Sequence, residues 1–514
     1  MNYAIIAAGE GSRLRKEGFK SVKPLVRLHN EYLIERLIRI FKDNDAEQIS
    51  IIINEESEEL KEFLDNRDWN VKINLIVKST PSSLHSFWNI IHHSSFSECC
   101  LTTVDTIFSE KDFKKYISSF QTNKQVDALM ATTKFIDDEK PLFIEINDDN
   151  KITAFLDERT SEKINSVSAG IYCLREKALQ VVDTAINNNV SRMRNYQRML
   201  VSEKLNVCSF SFGKVIDIDH VEDIKKAERL LDLQKKPILA LGRFSEYSPN
   251  SEDKDDKILN SVIENLRLQG YDVDKQNESK IDFSMKPYPY IISMARNPKV
   301  VDYLSEREKQ GSIVVNSSTA CKNCYRLIQT KKLEENNISI AKSTVVDTKD
   351  YNLKDIDWLQ KGDFWIKRAD FQTVEEIDVV RVKDFATAEK VLENYKQRGI
   401  DKAVISKHIE GDVIKFYGVS GSEWFYSYYP SEDKFHNKIN FGNSRISFDK
   451  DRFIKEVQKA AKVLDLDIYG GDAIIDKNGC FFIIDMNDFP SFSSCREQAA
   501  KEITKRFLDK AGIN

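Results

Sequence analysis

The chain has 514 residues, 41% of them hydrophobic and 31% charged, which exceeds one ordinary hydrophobic core and excludes a disordered or fibrous protein. With 77 basic and 82 acidic side chains and a formal net charge of -5, nothing global draws the chain to nucleic acid, so phosphate binding must be local. No segment approaches the roughly 18 consecutive apolar residues of a membrane span, and Met1-Asn2-Tyr3 runs into an apolar strand without signal-peptide features, so a cytoplasmic protein without membrane insertion is expected.

In chain order, strand-like runs at Tyr3 to Ala7, Gln48 to Ile53, Asn74 to Val77, Cys99 to Val104 and Ala128 to Ala131 alternate with amphipathic stretches such as Leu33, Leu37 and Phe41. This alternation predicts an α/β fold with a largely parallel sheet, its ligands at the carboxyl edge. A charged helical run from Val221 to Lys236 stops at Pro237, where a second αβ series begins with Ile238 to Leu241. It continues with a helix carrying Ile258, Val262 and Leu266 and strands at Tyr290 to Ser293 and Ser312 to Val315. The acidic stretch Glu252 to Asp256 reads as a solvated loop. Eight scattered cysteines do not form a disulfide framework, and Cys321 and Cys324 read as reduced thiols on a helix surface.

The first strand leads into Ala8-Gly9-Glu10-Gly11-Ser12-Arg13-Leu14, with Lys23-Pro24-Leu25 following. Gly9 and Gly11 allow a tight turn that aims amides at phosphate oxygens, and Arg13 and Lys23 add the charge that holds a triphosphate. This run resembles the G-x-G-[ST]-R-L…K-P signature of sugar-phosphate and alcohol-phosphate nucleotidyltransferases with a GT-A or Rossmann-like fold, over residues 1–235. The resemblance implies attack of a substrate phosphate on the α-phosphorus of a nucleoside triphosphate, with Ala8, Gly9, Gly11, Ser12, Arg13 and Lys23 around the nucleotide. It also implies Asp105 and Asp217 as Mg²⁺ ligands, with Asp219 either a third ligand or a helix N-cap. Thr80, Ser82 and Ser83 lie in the loop that meets the nucleobase in relatives. Ser168-Ala169-Gly170 resembles the segment lining the acceptor pocket, with Ser168 in place of the usual asparagine. The Asp217-Ile218-Asp219 ending is similar to that of phosphocholine and inositol phosphate cytidylyltransferases, which implies CTP as the donor.

Near the C-terminus, Gly470-Gly471-Asp472-Ala473 and Ile484-Asp485-Met486-Asn487 flank a turn at Asn478-Gly479. Asp472 and Asp485 then project from neighbouring strands with Asn487 on the same face as Asp485, three oxygen ligands suited to Mg²⁺ on ATP phosphates. This ending resembles the metal-binding region of ATP-grasp enzymes, inositol polyphosphate kinases in particular, over residues 311–514, with 236–310 as a small preceding αβ lobe. By that resemblance Lys367 and Lys415 touch ATP phosphates, His408 and Ile409 follow the adenine hinge, where Ser406-Lys407 replaces the usual Gln-Glu, and Glu410 substitutes as a ribose ligand.

Together these features lead us to expect a bifunctional enzyme using ATP and a second nucleoside triphosphate. Its C-terminal lobe would phosphorylate a small alcohol or polyol, and its N-terminal lobe would couple that phosphate to a nucleotide, giving an activated headgroup for surface glycans or lipids. Two alternatives stay open: an ATP-grasp carboxylate ligase in place of the kinase, and a nucleotide-binding sensor or scaffold. The partners expected are the alcohol and its phosphate, with no nucleic acid and oligomer formation left open.

Overall fold

A computed structural model describes residues 1–9, 11–94, 96–247, 252–361, 363–430 and 445–513; Glu10 of the glycine loop lies outside them. The chain divides into two compact units, Met1–Lys236 with Arg267–Asp272, and Pro237–Leu266 with Val273–Asn514. Among the described residues, no helix is long and apolar enough to cross a membrane.

The N-terminal unit is built on a sheet of nine described strands. They are β1 (Asn2–Ala7), β2 (Gln48–Ile53), β3 (Lys72–Val77), β4 (Glu98–Thr103), β5 (Ala128–Thr133), β6 (Phe143–Ile146), β7 (Ile152–Leu156), β8 (Ser166–Arg175) and β9 (Val207–Ser211). Their order is β7-β6-β8-β4-β1-β2-β3, with β5 pairing β8 and β9. Both faces are buried, which explains the unbroken apolar runs. Tyr3, Ile5 and Ala7 join one hydrophobic cluster and Ala4 and Ile6 the other. In β2, Ile49, Ile51 and Ile53 divide from Ile52 in the same way, and each isoleucine so buried stabilises the fold by roughly 1.5–3 kcal/mol.

The sheet is less parallel than the alternation suggests. Strands β4, β1, β2 and β3 run parallel, but β8 enters antiparallel against both β4 and β5, and β6 and β7 form an antiparallel pair. A strand buried on both faces carries no pattern that encodes its direction, so only the connections determine it.

In the C-terminal unit, β10 (Ile238–Gly242), β11 (Val273–Asn277), β12 (Tyr290–Ser293) and β13 (Ile313–Val315) form a parallel sheet in the order β11-β10-β12-β13. The connection from β10 to β11 carries an 18-residue helix, Glu252–Gln269, which buries Ile258, Leu259, Val262 and Leu266. The expected acidic loop is therefore the first turn of this helix, where carboxylates complement the N-terminal dipole. Asp255 is buried there against Arg243 at 2.8 Å.

A second sheet contains β14 (Ser343–Asp347), β15 (Phe364–Arg368), β16 (Val379–Val382) and β17 (Lys402–Lys407) in the antiparallel order β14-β17-β15-β16. The third contains β18 (Gly411–Val419), β19 (Phe425–Tyr428), β20 (Ile468–Asp476) and β21 (Phe481–Asp488), ordered β19-β18-β20-β21 and also antiparallel. Cys321 and Cys324 are buried at 4% and 3% exposure, correcting the surface placement expected for them.

Candidate functional site

In the N-terminal unit, Gly11 adopts φ 58° and caps the short helix α1 (Ser12–Lys16). A Cβ at Gly11 would lie 3.3 Å from the Lys23 Cβ, so both the left-handed backbone and the close approach require glycine. Gly9, Gly11, Ser12, Arg13, Lys23, Ser83, Asp105 and Asp219 line one cavity of about 270 Å³. Lys23 Nζ donates to Asp105 and, at 2.9 Å, to Asp219, whose other oxygen accepts from Arg13 Nη1 at 2.7 Å. Burial alone would lower the Lys23 pKa, but Asp105 and Asp219 outweigh it and the value is raised.

Asp219 is not the helix N-cap. Helix α2 (Val221–Gln234) is capped by His220, whose amide donates to Asp223 at 2.8 Å, and the Asp219 carboxylate is committed to the two cations. Asp217 reaches the same region because Ile216–Asp217 pairs antiparallel with Thr106–Ile107, setting Asp217 opposite Thr106 and beside the turn at Asp105. Although Asp217 is open to solvent on part of its surface, desolvation by crowding atoms and then the Asp105 charge push its carboxyl up to about 7. Added positive charge is favourable at such a carboxylate pair.

A neighbouring cavity of about 240 Å³ shares Arg13 and Asp219 with the first and is lined by Ser168, Ala169 and Asp217. Gly170 of β8 has φ 73°, and Ser168 Oγ donates to the buried Gln197 Oε1 at 3.1 Å. The base-loop expectation needs correction. Ser83 begins the helix α3 (Ser83–His93) and lines the glycine-loop cavity, while Ser82 is that helix's N-cap, accepting from the His85 amide. Thr80 Oγ1 is 2.6 Å from Ser86 Oγ, and Ala8 packs into the hydrophobic cluster beneath the loop. Sequence reasoning missed Gln197 and a recess of about 380 Å³ lined by Arg192, Arg194 and Arg198, which shares Glu139 and Pro141 with the Ser168 cavity. The arginine-rich run Arg192-Met193-Arg194-Asn195-Tyr196-Gln197-Arg198 was the available signal.

In the C-terminal unit, a single cavity of about 610 Å³ gathers Lys367, His408, Ile409, Glu410, Lys415, Asp472, Asp485 and Asn487. Asp472 on β20 faces Asp485 on β21 and Lys415 on β18, with Lys415 Nζ 3.5 Å from the Asp472 carboxylate. Asn487 Nδ2 donates to Asp485 at 3.3 Å, so the three oxygen-bearing side chains share one edge of the cavity. Lys367 extends from β15, donating to the Ile484 carbonyl at 3.2 Å. Trp365 Nε1 donates to His408 Nδ1 at 3.1 Å, and burial followed by the Arg381 charge lowers the His408 pKa. Arg381 is held by both Asp363 oxygens at 2.6 and 2.7 Å. Trp365, from the same Phe364–Lys367 segment as Lys367, also lines this cavity, as do Arg381, Arg296, Arg326, Gln372 and Thr373, which belong to no motif visible in the sequence.

Among the described residues, no group of three or more His, Cys, Asp or Glu side chains is arranged to hold a metal. Asp105 with Asp217, and Asp472 with Asp485 and Asn487, supply hard oxygen donors that suit Mg²⁺ once nucleotide phosphates and water complete the shell.

The N-terminal unit is thus nucleotidyltransferase-like, a glycine loop backed by paired cations and carboxylates at one edge of an α/β sheet. Residues 3–228 match the nucleotidyl transferase family. No curated protein matches the chain. Among solved structures, the inositol-1-phosphate CTP transferase from T. maritima aligns at 18% identity and TM-score 0.39, covering 44% of this chain and 94% of that one. A putative glucose-1-phosphate thymidylyltransferase from Bacillus anthracis, solved with a sucrose, aligns at 18% identity and TM-score 0.40, over 45% of this chain and 94% of its own. HddC from Yersinia pseudotuberculosis aligns at 20% identity and TM-score 0.36, over 45% and 99%. Likenesses of this strength carry no argument about substrate.

Proposed function

We propose that the N-terminal unit transfers a nucleotidyl group, from CTP, onto the phosphate of a small alcohol or polyol. The observation that carries this reading is Lys23, bound to Asp105 and Asp219 beside the Gly9–Gly11 loop, with Arg13 on the other Asp219 oxygen. A triphosphate entering that cavity exchanges places with the carboxylates on Lys23 and Arg13, which then neutralise the departing pyrophosphate. Mg²⁺ at the freed Asp105 and Asp217 would supply charge neutralisation on the phosphates. The acceptor approaches along Ser168 and Ala169, since that cavity opens on the same Arg13 and Asp219. The reaction needs positioning more than a covalent nucleophile.

We further propose that the C-terminal unit is an ATP-grasp kinase that makes the phosphate ester its neighbour uses. Supporting this is the convergence of Lys367, Lys415, Asp472, Asp485 and Asn487 on one cavity from two separate strands, β15 and β18, and the β20–β21 hairpin. The direct test is to supply the full chain with Mg²⁺, ATP, CTP and a pool of polyols and amino alcohols, following ADP and pyrophosphate by mass spectrometry. Appearance of both with one acceptor supports the proposal. ADP formation only when a carboxylate and an amine are both present would replace the kinase with a ligase.

A further inference from the structure

Among the described residues, the buried Arg326 guanidinium that lines the C-terminal cavity has no carboxylate counter-charge. Arg326 is 7% exposed, and its Nη2 donates to Thr373 Oγ1 at 2.8 Å. Among the described residues it makes no carboxylate ion pair, and its Nε has no partner. Arg326 is also the first residue of the ten-residue helix Arg326–Glu335, an end where the dipole disfavours a cation and favours an anion. Burying a guanidinium uncompensated is costly, and proteins retain such groups where a ligand completes them. Beside it, Gln372 is 4% exposed, with Nε2 spent on Asp488 at 2.7 Å and Oε1 unpartnered. Both side chains line the cavity that holds Lys367 and Lys415.

We propose that Arg326 and Gln372 form the subsite for the second substrate of this cavity, and that this substrate bears an oxyanion with a hydroxyl or amine donor close to it. The inference rests on the ATP-dependent reading of the C-terminal unit. A nucleotide triphosphate presents only acceptor oxygens along its phosphates, so it satisfies Arg326 and leaves the Gln372 carbonyl oxygen unmatched. A polyol phosphate and a hydroxy acid each satisfy both. Arg296, also in the cavity wall, is already neutralised by Asp488 at 3.0 Å and adds little free charge. Beside Gln372, the buried Arg326 therefore adds to the demand for an anion.

The test is calorimetric, on the full chain with Mg²⁺. ADP is titrated first, then inorganic phosphate is titrated into ADP-saturated protein, then glycerol, glycerol 3-phosphate and glycerate compete with the phosphate. Phosphate is expected to bind alongside ADP, and both anionic competitors, unlike glycerol, should displace it. Preference for glycerol 3-phosphate identifies a polyol phosphate, and preference for glycerate identifies a hydroxy acid. R326M should weaken phosphate binding by roughly tenfold to a hundredfold with ADP affinity unchanged; R326Q serves where the methionine variant does not fold. Q372L should weaken glycerol 3-phosphate and glycerate and spare inorganic phosphate. Loss of ADP affinity in the Arg326 variants would assign the oxyanion to the nucleotide and overturn the proposal, as would displacement by glycerol. Failure of wild type to bind ADP would sink the ATP-dependent reading instead, and phosphate titrated into nucleotide-free protein would still decide the role of Arg326.

Discussion

Replacing Lys23 by methionine tests the N-terminal site through both stability and rate. The Lys23 side chain is 12% exposed and its partners Asp105 and Asp219 are 18% and 42% exposed. Breaking a fully buried ion pair costs about 3–5 kcal/mol because the abandoned charge stays buried. Here the cost is smaller, since Asp219 keeps Arg13 at 2.7 Å and is well hydrated. The loss falls chiefly on Asp105, which also faces Asp217, so about 2 kcal/mol is the expected destabilisation. For a domain of 150–250 residues, that lowers Tm by about 4–8 °C, read by calorimetry as a shift in the transition of the N-terminal unit. Pyrophosphate release should fall by about 100–1000-fold, the usual effect of removing one preorganised partner of developing phosphate charge. The K23R variant keeps the charge but not the point geometry and should recover stability more than rate. Wild-type pyrophosphate release by K23M, with the protein folded, would refute the reasoning.

Five other substitutions probe separate parts of the structure. Asp105→Asn should abolish pyrophosphate release and spare ADP formation, while Asp485→Asn should do the reverse; loss of both activities in either folded variant would show that the sites are not separate. Gly471→Ala would place a Cβ 2.1 Å from the Asp485 carbonyl oxygen, so β20 and β21 must part, and a cost of about 1–3 kcal/mol with loss of ADP formation is expected. Arg326→Met should raise the Tm of the ligand-free protein, because it removes an uncompensated buried charge, and a fall in Tm would mark the arginine as structural. For Asp378, burial raises the pKa, but the amides of Glu375 and Val374 and the guanidinium groups of Arg398 and Arg368 outweigh it and hold the carboxyl below its usual 3.8. Its stabilisation is therefore present above that value and lost as pH falls through the lower folded-state pKa, so Asp378→Asn should depress Tm at pH 7, and the gap to wild type should narrow as the pH is lowered below 3.8.

The parts of the fold visible in the sequence are those set by local pattern. Gln48–Ile53 and Tyr290–Ser293 are strands with the bounds the apolar runs imply; Glu47 and Asn54 flank the first, and Pro289 precedes the second. The glycine loop and the Asp472–Asp485 hairpin were legible because several chemical demands coincide within a few residues. Direction and burial were less so. The antiparallel entry of β8 depends on pairings of Cys173 with Cys100 and Leu129, made across more than 40 residues. Ser83 reads as loop because it sits in a run of small, turn-forming residues, Thr80-Pro81-Ser82-Ser83, although Ser82 is a strong helix cap that starts the helix at Ser83. Arg326 and Gln372 carry no motif at all; each gains meaning only when the fold buries it and leaves an atom unpaired.

The two candidate sites handle their cations differently, and that difference has a thermodynamic consequence. In the N-terminal unit, Lys23 and Arg13 are already satisfied by Asp105 and Asp219, so a triphosphate must first displace carboxylates. Binding of nucleotide alone exposes Asp105 and Asp217 to each other, and binding of Mg²⁺ alone competes with Lys23; each ligand removes the penalty of the other. By linkage, their affinities must then be mutually enhancing. In the C-terminal cavity Arg326 has no carboxylate partner among the described residues, only the neutral Thr373 hydroxyl, so an oxyanion gains a charge-assisted contact without displacing a carboxylate. A nucleoside triphosphate stripped of Mg²⁺ should therefore stabilise the N-terminal unit weakly, whereas inorganic phosphate should stabilise the C-terminal unit in the presence of EDTA. Equal stabilisation of the N-terminal unit by CTP with and without Mg²⁺ would mean that Asp105 and Asp219 do not guard the cations in solution as they do in the structure.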